Sequence, residues 1–153
     1  MRSSRFVSSL VVLACWLPAV VVAATVFEGD LDGPAMGTDS PATGFARLVL
    51  DDAQAQVAYE ITYAGLVGVE ILAHIHNAPP GELGRIVHDL PLGTPKIGTW
   101  DIPAVLVGQL VAGNLYVTIH SDEYPGGEIG GWVAATSSPT AAASWSAIRT
   151  IFR

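Results

Sequence analysis

Apolar and polar residues alternate with period two through most of the middle of the chain, which is the mark of half-buried strands. Thr25–Leu31 alternates around Phe27, and Phe45–Leu50 follows it. After a turn at Asp51-Asp52-Ala53-Gln54 comes Val57–Tyr63. Further strands are predicted at Val69–His76, Arg85–Leu90, Lys96–Trp100, Leu115–Ser121 and Glu128–Ala134. These runs are rich in β-branched and aromatic residues and are bounded by Gly, Asp and Pro. The one weakly helical internal stretch, Pro103–Ala112, reads as a crossover loop. Eight short strands with no helical pattern between them predict an all-β fold, an antiparallel sandwich or barrel.

Both ends break this pattern. Arg2 and Arg5 precede an apolar run from Leu10 to Ala24, interrupted only by Pro18, and Val22-Ala23-Ala24 offers small residues for cleavage. Residues 1–24 are therefore expected to be a secretory signal peptide, cut after Ala24. Two alternatives are lipidation of Cys15, because Leu13-Ala14-Cys15 faintly resembles a lipobox, and an uncleaved anchor. At the other end, residues 135–153 are expected to form a flexible tail. In it Trp145, Ile148 and Ile151-Phe152 stand at helical spacing after an Ala/Ser/Thr-rich run.

The charge sharpens this picture. All 14 acidic residues follow the leader, against 5 basic residues, so the mature chain carries a net charge near −9. So negative a surface repels phosphate backbones and anionic lipid and attracts cations. Nucleic acid is excluded as a partner, and membrane contact is expected only through an uncleaved leader. Cys15 is the only cysteine, so the mature domain has no disulfide, thiolate nucleophile or Cys-ligated metal. There is no Asn-x-Ser/Thr acceptor, P-loop, dinucleotide fingerprint, EF-hand loop or nucleophile elbow.

Against this background four histidines stand out: His74, His76, His88 and His120. His74 and His76 are two apart on a strand and share one face, while Ile71, Ala73 and Ile75 take the core face. On the later strand Leu115, Val117 and Ile119 point inward, and Tyr116, Thr118 and His120 point outward. A His-x-His pair with a third His from a neighbouring strand makes a three-nitrogen site suited to copper or zinc. His88 is a candidate fourth ligand, an outer partner or a solvent-facing residue. In the competing reading the histidines pin the Pro79-Pro80-Gly81 turn by bonding to loop carbonyls, and Glu128 caps the Gly126-Gly127 turn.

Three segments, Ala73-His74-Ile75-His76-Asn77-Ala78-Pro79, Gly113-Asn114-Leu115-Tyr116-Val117-Thr118-Ile119-His120 and Pro125-Gly126-Gly127-Glu128-Ile129-Gly130-Gly131, resemble in order the signature segments of the chordin-type (CHRD) domain. The resemblance runs from Thr25 to Val133 and implies a secreted all-β domain. The chain departs from the family pattern at Gly130, where an arginine is usual, and at Gly33–Thr38, where the family often has Glu-x-Pro. A looser similarity, in fold and in histidine order, links His74, His76, His88 and His120 to the copper ligands of copper–zinc superoxide dismutase, so the expected form is an antiparallel Greek-key β-sandwich, superoxide-dismutase-like or immunoglobulin-like. The expected function is a secreted CHRD binding module that holds one copper-like ion through His74, His76 and His120. Two alternatives stand beside it: a metal-free module contacting an extracellular protein or glycan, and a dismutase-like enzyme.

Overall fold

The computed structural model describes residues 24–136. The expected signal segment up to residue 23 and the tail from residue 137 onward lie outside the described residues.

Nine strands and one helix make up the domain: β1 (Thr25–Asp32), β2 (Thr43–Leu50), β3 (Gln56–Ala64), β4 (Glu70–Asn77), β5 (Arg85–Asp89), β6 (Lys96–Asp101), α1 (Ala104–Val111), β7 (Leu115–Ser121), β8 (Ile129–Trp132) and β9 (Ala134–Ala135). A short 3-10 turn, Pro34–Met36, follows β1. The strands form one antiparallel sheet in the order β5-β4-β7-β8-β1-β2-β3-β6, with β9 pairing β1. The predicted all-β antiparallel class is the observed one, but its two halves are a single ladder folded on itself. They join where Gly130 of β8 pairs both Thr118 of β7 and Asp32 of β1. Gly131 makes this join close. A methyl group there would lie 2.0 Å from the Asp30 carbonyl oxygen.

The core sits between the two halves. Phe27, Leu48, Val57 and Ile61 from one half meet Ile75, Leu115, Val117 and Ile119 from the other, all fully buried. Burying each such side chain contributes about 1.5–3 kcal/mol, and this offsets the ordering of the strands that carry them. One buried ion pair ties β4 to β6. Lys96 reaches Glu70, whose Oε2 accepts from the Tyr63 hydroxyl (2.7 Å) and the Gly93 N–H (2.6 Å). The ammonium also donates to the Pro91 and Gly93 carbonyls, both at 2.8 Å. With all its protons used, Lys96 tolerates being 1% exposed.

Four sequence expectations change. Pro103–Ala112 is mostly helix, because Leu106 and Leu110, one turn apart, bury themselves against the core and outweigh the strand preference of the valines. Glu128–Ala134 is not one strand. Val133 divides it, as the chain passes from pairing with β7 to pairing with β1. Ile71 does not join the core and is 38% exposed, because a bulge between Glu70 and Leu72 displaces it. The sheet also reaches past the expected domain end: Ala135 pairs with Phe27, and the Thr136 N–H donates to the Val26 carbonyl.

Candidate metal centre

The outer face of β4 and β7 carries the chemistry. Antiparallel register sets His74 opposite Thr118, Leu72 opposite His120 and His76 opposite Tyr116, so His120 lies diagonally across from His74. One nitrogen from each of His74, His76 and His120 lies within 4.8 Å of the others. His74 Nδ1 and His120 Nε2 are 3.3 Å apart. Two nitrogens bound to one ion at about 2 Å sit about 3.3–3.5 Å from each other, so this pair already has the spacing of ligands.

The sequence places these rings on an exterior surface, and in the folded chain two of them are buried: His74 is 7% and His120 8% exposed. The outer face of β7 is itself covered. Met36 packs on Thr118, and Tyr116 lies between the rings of His76 (4.8 Å, stacked) and Trp132 (4.8 Å). The 125–127 turn closes over His120 and Thr118.

Hydrogen bonds fix which nitrogens face the common point. His76 Nδ1 donates to the Gly84 carbonyl at 2.9 Å, and His120 Nδ1 donates to the Pro125 carbonyl at 2.9 Å. In neutral rings both Nε2 atoms then carry bare lone pairs. His76 Nε2 is buried and has no partner. His74 has Nδ1 towards His120 and Nε2 3.6 Å from an Asp89 carboxylate oxygen. A proton on His74 Nδ1 leaves a lone pair facing Asp89. A proton on Nε2 leaves two lone pairs facing each other at 3.3 Å. A cation at the common point suits the second form, where it binds both facing lone pairs; in the first the Nδ1 proton already fills that place as a bond to His120 Nε2. An added proton is disfavoured in the cation's role: burial holds the pKa of His74 low, and the neighbouring His120 and His76 push it lower, against the pull of Asp89. Burial likewise lowers His120, against the Pro125 carbonyl and with some help from His76.

Gly84 serves two of these groups. Its carbonyl holds His76, and its N–H donates to the Tyr116 hydroxyl at 3.0 Å. A methyl group at this position would lie 2.0 Å from the Asn77 carbonyl oxygen, so only glycine brings the loop this near.

His88 stands apart from the other three. A bulge between Ile75 and His76 inserts Val87 into β5, setting His88 opposite the inward-facing Ile75. There it stacks on Trp100 (4.9 Å) and meets Tyr59 edge-on (5.7 Å). Burial lowers its pKa, partly countered by Asp89, and its Nε2 is buried without a partner.

Glu128 is wholly buried beside this region. Its Oε1 accepts from the Ser40 hydroxyl (2.7 Å) and the Val67 N–H (2.6 Å), so it pins the 65–69 loop to the start of β8. Burial alone would raise its pKa. The Ser121 and Ser40 hydroxyls and the Val67 and Gly68 N–H groups outweigh burial and hold it low. Its Oε2 is buried without a direct hydrogen-bond partner.

Sequence reasoning did not find Asp89 or the carbonyls of Gly84 and Pro125. Strand alternation alone could not align Asp89 with His74, because the bulge in β5 shifts the register between them. The Pro125 contact comes from a turn whose path no periodicity encodes.

Fold and site together define a class: a nearly closed antiparallel β domain with a histidine triad on the covered outer face of one half. The chain belongs to the CHRD domain family, whose model matches residues 24–133. No curated protein and no solved structure matches it.

Proposed function

We propose that this chain is a secreted CHRD module that binds one transition-metal ion, copper-like in its preference for nitrogen donors, through His74, His76 and His120. The observation that carries the reading is the convergence of three imidazole nitrogens, two with their other nitrogen tied to a backbone carbonyl. Outer partners of this kind orient metal-binding imidazoles. Three neutral donors leave a coordination position open and leave the ion its full charge, in a strongly acidic domain that draws cations in. His88, on the inner face, stays outside the ligand set.

Equilibrium dialysis of the chelator-stripped protein against Cu(II) tests this. The expected result is one ion retained per chain, lost in His120→Ala and kept in His88→Ala. Because burial keeps His74 and His120 deprotonated below the usual histidine value of about 6.5, the ion should be held at pH 6 and released only at lower pH. Wild-type protein that retains no metal returns the histidines to the scaffold reading, which the Gly84 and Pro125 carbonyl contacts also fit. In that case the module serves an extracellular protein or glycan partner. A superoxide assay on the loaded protein tests the dismutase-like alternative.

A further inference from the structure

Each ring of the triad has one nitrogen directed at the shared point and the other at an oxygen. For His76 and His120 that oxygen is a backbone carbonyl at 2.9 Å, fixed by the fold. For His74 it is the carboxylate of Asp89, at 3.6 Å from Nε2. Asp89 reaches this place through the β4–β5 ladder, which pairs it directly with His74. No other described acidic group lies within ion-pair distance of a triad nitrogen. The Asp89 side chain is 86% exposed and forms no other hydrogen bond or ion pair among the described residues, so no other contact accounts for the carboxylate.

From this pattern, and resting on the metal reading above, we propose that Asp89 is a positioning residue that fixes His74 as an Nδ1 ligand. With an ion present, His74 Nδ1 supplies a lone pair and Nε2 keeps its proton. The carboxylate accepts from that N–H, turning the ring and making Nδ1 a better donor. The ligand set is then one Nδ1 and two Nε2 atoms. The two rings on backbone carbonyls are rigid, and the ring on the exposed carboxylate is the adjustable one.

The experiment is calorimetric titration of the metal-stripped full chain with Zn(II), for wild type, Asp89→Ala and Asp89→Glu, with ¹⁵N long-range NMR of the imidazoles in the zinc and metal-free forms. Wild type should bind one equivalent with the His74 proton on Nε2. Asp89→Ala should bind about tenfold more weakly, at the low end for an outer partner because the carboxylate is exposed, and Asp89→Glu should recover part of the loss. In the metal-free form Asp89→Ala should move the His74 proton from Nε2 towards Nδ1, which faces His120 Nε2, while His76 and His120 keep theirs on Nδ1. A purely structural role for Asp89 would not move that signature. Unchanged affinity and an unchanged His74 tautomer in Asp89→Ala overturn the assignment of Asp89 and leave the metal reading standing. Wild type that binds no zinc and no copper overturns both.

Discussion

Gly84 shows how much of the site depends on single backbone positions. Its carbonyl and N–H hold the His76 ring and the Tyr116 hydroxyl, and its missing side chain lets the loop lie on Asn77. Gly84→Ala must push this loop outward. The expected cost is about 1–3 kcal/mol in a urea denaturation series, from crowding against backbone. Metal affinity should fall about tenfold with it, since His76 loses its orienting acceptor. Equal affinity in the variant would show that the Gly84 carbonyl does not matter to the ring. At this scale the sequence was legible in part. The shared face of His74 and His76 and the outward set Tyr116, Thr118 and His120 follow from strand alternation alone. The position of His88 does not, because one inserted residue, Val87, reverses the alternation beyond it.

At the scale of elements, period-two patterning located every long strand to within about two residues, with β7 at its full length, because each has one face in the core. It fell short at α1, whose weak helical signal reads as a loop: Val105, Val107 and Val111 dilute it, and the packing of Leu106 and Leu110 decides for helix. It failed again at β8 and β9, where a change of pairing partner leaves no mark on hydrophobicity. The packing account of α1 has a direct check. Leu110 is fully buried and Val111 is 58% exposed. Leu110→Ala should destabilise the domain by about 2–5 kcal/mol, and Val111→Ala should stay within about 0.5 kcal/mol of wild type. Chemical denaturation of the two variants side by side distinguishes a helix anchored by its inner face from one merely spanning two strands.

For the whole molecule, charge and burial act together. Residues 24–136 contain three basic side chains, Arg47, Arg85 and Lys96, against all 14 acidic ones, a formal net charge of −11. Three of the four histidines, His74, His88 and His120, are pushed to lower pKa, in each case chiefly by burial. Below the unfolded value of about 6.5 the unfolded chain therefore binds more protons than the native one. The stability that neutral histidines contribute is complete above that pH and is lost as pH falls through their lower native values. The metal-free protein should show a lower urea midpoint at pH 5.5 than at pH 7.5, and a bound ion should widen the gap. Identical midpoints would mean that these rings titrate as they do in the unfolded chain.

The terminal strands of the sheet, β5 and β6, have no ladder between them, yet His88 of one stacks on Trp100 of the other. A ring stack thus links the two ends of the sheet where no strand pairing does. The closure is a clasp of rings instead of a row of amide bonds, and it can part without dismantling any strand pair. Breathing of the domain should begin along this line, so amides on the clasp side of β5 and β6 should exchange with solvent well before those of β7 at the centre.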